Sequence, residues 1–145
     1  RLAVEIYTTV IEMLGIRDET NKNNALSIIY KHRGMAYFSQ GAYEDAVVDF
    51  EKSAKADAGN FRAYYYKGIT LVMLGRNKEA IDEYTHSLER KVNQAHVYFR
   101  RALSYYSVGL YLEALKDMDA AENLGLNDAQ MKKLRFAIAK KIDIV

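Results

Sequence analysis

The sequence has no cysteine, no proline and no tryptophan among its 145 residues. Without cysteine the chain can form neither disulfide bonds nor thiolate sites. It also lacks a run of about 20 apolar residues, the length that a helix needs to cross a bilayer, so we expect no membrane insertion. The net charge of +2 is close to balanced, and the total alone favours neither an acidic nor a basic partner.

Motifs for catalysis, metal binding and cofactor binding are also missing. No glycine-rich loop of the phosphate-binding kind is present, and the three histidines, His32, His86 and His96, have no histidine four residues away. Metal sites in proteins need several such ligands close together. The acidic residues show no paired arrangement, and no Ser-His-Asp motif is readable. We therefore expect no enzyme, no catalytic residue, no metal and no cofactor.

The dominant feature of the sequence is a repeat with a period of 34 residues, which suggests a repeat architecture. Three windows follow one another without insertion or deletion: residues 27–60, 61–94 and 95–128. Large, small and glycine residues recur in the same phase. The fourth position holds Tyr30, Tyr64 and Tyr98; the eighth Gly34, Gly68 and Ala102; the fifteenth Gly41, Gly75 and Gly109; the twentieth Ala46, Ala80 and Ala114; the twenty-fourth Phe50, Tyr84 and Met118.

Each window is predicted to fold as two helices joined by a short turn. Apolar residues in both halves are spaced three and four apart, which is the helical period. Small residues at the eighth and twentieth positions allow two helix backbones to approach closely, and large residues fill the space around them. Glycine at the fifteenth position follows the first helix, where a left-handed C-cap is favoured.

This pattern resembles the tetratricopeptide repeat over residues 27–128. The resemblance implies an all-α fold, a right-handed superhelical α-solenoid of antiparallel helix pairs. Two positions depart from the family pattern: the seventh is basic instead of leucine, and the late proline is replaced by Ala58, Val92 and Leu126. Glycines near these sites, Gly59 and Gly125, are expected to turn the chain instead.

The flanking segments fit the same phase, and we expect one domain over residues 1–145. Residues 1–16 are predicted to be the second helix of a partial repeat, which suggests that further repeats precede it. Residues 17–26 are predicted to be a polar insertion and the start of the next helix. Residues 129–145 are predicted to form a helix with an apolar stripe and lysines elsewhere, typical of a solenoid cap.

Charges are segregated between the two helices of each repeat. The first helices, predicted at residues 27–40, 61–74 and 95–108, contain no Asp or Glu. The cation at the seventh position precedes an acid by sixteen residues in every repeat, and we predict ion pairs between the two helices. Partly exposed pairs contribute only about 0–1 kcal/mol, so these six residues are assigned to structure. The pairs are Arg33 with Asp49, Lys67 with Glu83 and Arg101 with Asp117.

In tetratricopeptide repeats the first helices line a concave groove, and the resemblance implies that six positions of each helix face a ligand. Here those positions carry aromatic, apolar and basic side chains without a carboxylate. Because Tyr and Arg dominate binding hot spots, we expect the groove to bind an acidic peptide segment of another protein with hydrophobic anchors. The predicted binding residues are Lys31, Met35, Phe38, Arg62, Tyr65, Tyr66, Ile69, His96, Phe99, Arg100 and Tyr106.

Some of these assignments leave an alternative open. Phe38, Ile69, Val72 and Leu103 either face a ligand or pack between repeats, because apolar residues at helical spacing usually form core. The lysines of the last helix, Lys133, Lys140 and Lys141, are candidates for extending the basic surface.

One branch of the family clamps the acidic C-termini of heat-shock chaperones through five polar residues. At the matching positions this sequence has Lys31 and Arg100, but it has Met35 and Tyr66 in place of two asparagines and His96 in place of a lysine. We therefore do not predict a chaperone-tail receptor. The alternative function is a structural segment of a longer array that stacks or self-associates. Nucleic acid is not favoured as a partner, because the basic surplus is small.

Overall fold

The fold is a row of helices, which the computed structural model describes for residues 1–15 and 19–143. Within these residues the chain forms eight α-helices and no strand. The predicted boundary between the partial repeat and the polar insertion, at residues 16–17, lies outside the described residues. The helices are α1 (Leu2–Leu14), α2 (Glu19–Ser39), α3 (Tyr43–Ala56), α4 (Phe61–Met73), α5 (Asn77–Arg90), α6 (Ala95–Ser107), α7 (Tyr111–Asn123) and α8 (Ala129–Asp143).

Each helix packs against the next one along the chain, as expected for antiparallel helix pairs. The helices α2, α4, α6 and α8 also contact one another in that order, so they form one continuous layer and the remaining helices form the other. The fold is therefore an all-α solenoid, as the repeat predicted. At its end, Met131, Leu134 and Ile138 of α8 are buried against the last repeat.

Helix α2 is longer than the corresponding helices of the other repeats. It begins at Glu19, eight residues before Ser27, and contains 21 residues, whereas α4 and α6 contain 13 each. The polar segment from Glu19 onward therefore continues the first helix instead of forming a separate loop. Nothing in the segment stops a helix, because it contains neither proline nor glycine before Gly34.

In the first two repeats, the aromatic ring at the twenty-fourth position leaves no space for a side chain at the eighth position. A Cβ atom added to Gly34 would lie 2.7 Å from Phe50 Cε1, and one added to Gly68 would lie 2.5 Å from Tyr84 Cε1. Neither distance leaves room for a methyl group. The third repeat has Ala102 instead, and its partner position holds the flexible Met118. The size of one residue is thus matched to the shape of the other.

The glycines at the fifteenth position have the left-handed backbone predicted for them, with φ of 77° at Gly41, 75° at Gly75 and 84° at Gly109. The residue after each glycine donates its N–H to a carbonyl five residues earlier, as Arg76 does to Leu71 at 2.8 Å. This bond closes a Schellman motif, which ends the first helix and turns the chain into the second. Gly125 also has a positive φ, of 97°.

The three predicted ion pairs are all present. Arg33 donates to both carboxylate oxygens of Asp49 at 2.7 Å, and Arg101 does the same to Asp117. Lys67 Nζ lies 3.0 Å from Glu83 Oε1. The prediction of partly exposed pairs is wrong for the acids of the first and third, because Asp49 is 1% and Asp117 4% exposed. Buried charges depend on their partners far more than surface charges do.

The same three cations also reach back to the preceding second helix. Arg33 Nη1 donates to Thr8 Oγ1 at 3.2 Å, and Arg101 Nη1 donates to Thr85 Oγ1 at 3.0 Å. At the corresponding place Lys67 Nζ lies 3.1 Å from Glu51 Oε1. Thr8, Glu51 and Thr85 follow the large residue at the twenty-fourth position, so α1 packs on α2 in the same register as the later helices pack.

Candidate functional site

A groove runs along the layer formed by α2, α4 and α6. It contains a cavity of about 520 Å³, between α2 and α4 with α6 at one side. Five predicted binding residues line it: Met35, Phe38, Tyr66, Ile69 and Arg100. The side chains of one face meet here because the first helices of successive repeats contact each other directly. The remaining lining residues are Ser39, Phe50, Thr70 and Met73.

Phe50 is a lining residue that the sequence analysis missed. It belongs to the second helix α3 and is almost fully buried, yet its ring reaches the cavity floor and stacks on Tyr66 with 5.8 Å between ring centroids. Its ring lies directly against Gly34, where any side chain would clash with it. The pairing of glycine with a large residue sixteen positions later was the available signal, but it was read only as core packing.

The walls of the cavity are almost entirely apolar. Of the three hydroxyl-bearing residues on its lining, two already use their hydroxyl groups: Ser39 Oγ donates to the carbonyl of Met35 at 3.0 Å, and Thr70 Oγ1 donates to that of Tyr66 at 2.7 Å. The third is Tyr66. Arg100 is the single cation among the lining residues. The cavity is thus an apolar pocket with one guanidinium at its side, a common composition for binding sites.

Arg100 is oriented by Tyr65. Its Nε donates to the Tyr65 hydroxyl at 3.0 Å, and the Tyr65 ring meets the His96 ring edge to face at 5.0 Å between centroids. Burial raises the pKa of Tyr65 despite the neighbouring Arg100 charge, so its hydroxyl stays protonated at neutral pH. These three residues from α4 and α6 form one cluster beside the cavity.

Lys31 and Arg62 form a second basic pair, between α2 and α4. Burial lowers the pKa of Lys31, and the charge of Arg62 lowers it further. Within the described part of the chain neither residue has a carboxylate within ion-pair distance. Two cations held near each other without an acid create a local positive potential that favours an anionic partner.

His32 of α2 and His96 of α6 both have a lowered pKa and are neutral at pH 7. Burial lowers the pKa of His96, and the charges of Arg100 and Lys91 add to the effect. Burial and then Lys31 lower the pKa of His32 in the same way. From the sequence, His96 is predicted to contact an acidic ligand together with the cations of the groove. In the free chain at pH 7 it is instead a neutral hydrogen-bonding group, because the basic surroundings oppose its protonation.

The last two predicted residues lie further along the groove. Phe99 and Tyr106 are half-buried and pack against the core of the third repeat and α8. Tyr106 also contacts Tyr111, with 5.6 Å between ring centroids. Neither lines the cavity, so the eleven predicted residues form one pocket, two charged clusters and this separate aromatic pair.

The apolar residues with two possible roles remain accessible from the groove. Phe38 and Ile69 are half-buried and line the cavity. Val72 is 36% and Leu103 39% exposed, and both line a smaller depression next to Arg100. Lys133, Lys140 and Lys141 of α8 are exposed but do not line the cavity.

Among the described residues, no group of three or more His, Asp or Glu side chains is placed to hold a metal ion. In the same part of the chain no helix has the length and apolarity required to cross a membrane.

Comparison with known proteins supports the repeat assignment. A family model for the tetratricopeptide repeat matches residues 29–60. The chain is 26% identical to the protein STIP1 homolog of Dictyostelium discoideum over 103 residues, which are 71% of this chain and 18% of that protein. It is 37% identical to tetratricopeptide repeat protein 13 of Homo sapiens over 65 residues, 45% of this chain and 8% of that protein. It therefore spans less than a fifth of each relative's length.

Solved structures with the same fold include peptide complexes. The first TPR of Spaghetti (RPAP3), bound to an HSP90 peptide of sequence SRMEEVD, superposes with a TM-score of 0.79 at 20% identity, covering 83% of this chain and 95% of that one. The TPR2B domain of yeast Sti1, in complex with pHsp70, superposes with a TM-score of 0.76 at 22% identity, covering 81% and 98%. The family model thus identifies residues 29–60 as a tetratricopeptide repeat, and the solved structures show that the chain has the fold of tetratricopeptide repeat domains.

Proposed function

We propose that this chain is a non-catalytic module that binds a peptide segment of a partner protein in the groove of α2, α4 and α6. The observation that carries the proposal is the apolar cavity of about 520 Å³ with Arg100 at its side. Pockets of this size and composition hold ligand groups whose orientation is set by a few polar contacts. Domains with the same fold have been solved in complex with peptides, and these complexes support the proposal.

The partner segment is proposed to be acidic with hydrophobic anchors. Lys31, Arg62 and Arg100 lie on the groove, while several acids of the second helices are engaged elsewhere in pairs such as Asp49 with Arg33. A surface that carries charge of one sign increases the association rate of a partner with the opposite charge. The apolar cavity buries apolar surface of the ligand, which contributes binding free energy that charge alone does not supply.

A chaperone C-terminal tail is not the ligand that we propose. The positions that would provide two amide groups for the terminal carboxylate hold Met35 and Tyr66, and both line the apolar cavity. The third substituted position holds His96, which is neutral at pH 7 because burial and nearby cations lower its pKa. Only Lys31 and Arg100 remain of the five polar contacts.

The proposal can be tested by affinity capture from a lysate of the source organism, followed by binding assays with peptides tiled across each captured protein. Wild-type chain would be compared with Tyr66→Ala/Arg100→Glu, after far-UV circular dichroism has verified equal helicity. We expect the double variant to weaken peptide binding by at least about tenfold, since both residues contact the proposed ligand. Lys116→Glu is the matched control, because Lys116 is an exposed cation of α7 outside the groove.

Equal binding by wild type and the groove variant would contradict the proposal, and it would place the interaction on the convex face or at the ends of the chain. Loss of binding by both Tyr66→Ala/Arg100→Glu and Lys116→Glu would show that charge alone decides the association. In that case the cavity has no role in recognition.

Self-association is the second candidate function, and the outer face of α1 favours it. Leu2, Ile6 and Met13 are exposed on this helix, and exposed apolar patches often mark contact sites. Sedimentation velocity over a wide concentration range tests this function. A rise in the sedimentation coefficient with concentration would support it, and an unchanged monomer would exclude it.

A further inference from the structure

The cavity differs from the rest of the groove in the kind of ligand side chain that it can bind. The hydroxyl groups of Ser39 and Thr70 donate to carbonyls of their own helices, and most of the other walls are methionine, phenylalanine and isoleucine side chains. A carboxylate buried among the methionine and phenylalanine side chains would lose its hydration, and of the lining groups only the Tyr66 hydroxyl and Arg100 could donate to it, which is unfavourable. The interior therefore selects an apolar side chain.

The distribution of sulfur and aromatic rings favours an aromatic ring over an aliphatic chain. Met35 lies on the α2 side and Met73 on the α4 side, and the floor is the stacked pair of Phe50 and Tyr66. Thioether groups make favourable contacts with aromatic rings and adapt to their shape. A third ring entering the cavity would also contact the existing pair in an offset or edge-to-face arrangement.

Arg100 provides one anion site at the side of this cavity. Its Nε is held by the Tyr65 hydroxyl at 3.0 Å, and within the described residues its two terminal nitrogens have no hydrogen-bond partner. A guanidinium in this state can bind one carboxylate through two parallel hydrogen bonds. The basic pair of Lys31 and Arg62 does not line the cavity, so a second carboxylate has no matching cation beside Arg100.

We propose that the cavity binds an aromatic side chain from an internal stretch of the partner, and that Arg100 binds the carboxylate of an Asp or Glu adjacent to it. Successive Cα atoms are 3.8 Å apart, so a residue next to the anchor is within reach of a group lining the same cavity. No free C-terminus is required. This inference rests on the proposed function and specifies the ligand of the same site.

Two libraries of short random peptides displayed on phage test the inference with the purified chain. In one library a fixed linker follows the random segment, and in the other the segment ends in a free carboxylate. We expect the library with the fixed linker, in which the random segment has no free carboxylate, to yield binders with Phe, Tyr or Trp directly next to Asp or Glu. Replacing the aromatic residue of a selected peptide by alanine should weaken binding by at least about tenfold in fluorescence anisotropy.

Variants of the chain test the two contacts separately. Met73→Glu places a charge on the cavity wall, and Met13→Glu is its matched control on α1, since the two side chains are 52% and 65% exposed. Only Met73→Glu should abolish binding of the selected peptides. Arg100→Gln and replacement of the peptide acid by its amide should weaken binding to the same extent, with no further loss when they are combined.

Other results would overturn the inference. Binders obtained only from the free-carboxylate library, or binders without an aromatic residue, would contradict it and leave the proposed peptide-binding function intact. The same holds if Met73→Glu binds the selected peptides as tightly as Met13→Glu does. The absence of binders from both libraries would overturn the proposed function together with the inference.

Discussion

At the scale of single residues, the two helices of each repeat are held at a distance set by one complementary pair of side chains. Gly68 lies against Tyr84, Gly34 lies against Phe50, and the third repeat places Ala102 in the same core cluster as Met118. The rigid rings require a missing side chain opposite them, whereas methionine tolerates a methyl group. A substitution at one of these two positions therefore requires a matching substitution at the other.

Replacing Gly68 by alanine is predicted to destabilise the fold although alanine is the better helix former. The new Cβ would lie 2.5 Å from the Tyr84 ring, and overpacking of this kind costs about 1–3 kcal/mol, against a propensity gain of about 1 kcal/mol. Urea unfolding followed by circular dichroism measures the difference. Gly68→Ala/Tyr84→Met copies the third repeat and should lose less stability than the two single changes combined. A single Gly68→Ala variant as stable as wild type would refute this coupling.

Relations within a repeat could be predicted from the sequence because they recur at constant separations. The pairing of Arg33 with Asp49 and the left-handed backbone of Gly75 are of this kind, since three copies of the pattern report the same contact. The part played by Phe50 in the groove could not be predicted in this way. It depends on how steeply neighbouring helices cross, and the spacing of residues along one chain does not record that angle.

At the scale of the secondary-structure element, α6 gives two adjacent arginines different roles. Arg101 is directed at the buried Asp117 of α7, while Arg100 is exposed in the groove and donates to Tyr65 of α4. Successive residues differ by about 100° around a helix, so one helix supplies both a structural cation and a binding cation. His96 lies one turn before Arg100 on the groove side, and its pKa is lowered by burial and then by the charge of Arg100.

Binding of an acidic peptide is predicted to tighten as the pH falls from about 7.5 to 5.5, because nearby carboxylates raise the lowered pKa of His96. The complex then takes up a proton. The gain approaches about tenfold for each unit by which the ligand raises that pKa. Isothermal titration calorimetry in two buffers of different ionisation enthalpy counts the protons taken up. His96→Gln should remove much of the uptake, while His86→Gln on α5 should not. Equal uptake by both variants would argue against the assignment.

The same lowered pKa has the opposite effect on the free chain. Because unfolded histidine binds a proton more readily than folded His96 or His32, the free energy of unfolding should decrease as the pH drops below the ordinary histidine pKa of about 6.5. An acidic ligand would offset this loss by stabilising the protonated side chains. Denaturation at pH 7.5 and pH 5.5, with and without peptide, separates the two effects.

At the scale of the whole molecule, three cations connect the repeats into one array, but they do so by different chemistry. Arg33 and Arg101 bind threonine hydroxyls of the preceding helix, whereas Lys67 is paired with the exposed carboxylate of Glu51. The acids inside the repeats differ as well, because Asp49 is fully buried and Glu83 is partly accessible to water.

Removing the first cation is predicted to cost more stability than removing the middle one. Arg33→Met leaves Asp49 buried without a partner, at a cost of about 3–5 kcal/mol. Lys67→Met leaves the exposed Glu51 and the partly accessible Glu83 and should cost about 1–2 kcal/mol. Urea denaturation of both variants measures the difference. Arg33→Met/Asp49→Leu, which removes both charges, should recover much of the loss. Equal losses for the two single variants would contradict this explanation.

The charged contact of Lys67 makes one junction between repeats more sensitive to salt than the others. Attraction between Lys67 and the exposed Glu51 weakens when ions screen it, while the arginines on either side bind uncharged threonine hydroxyls, which are less affected. This contact joins α3 to α4, the two helices that contribute Phe50 and Tyr66 to the cavity floor. High ionic strength is therefore expected to weaken the junction at the proposed binding pocket before it weakens the junctions on either side of it.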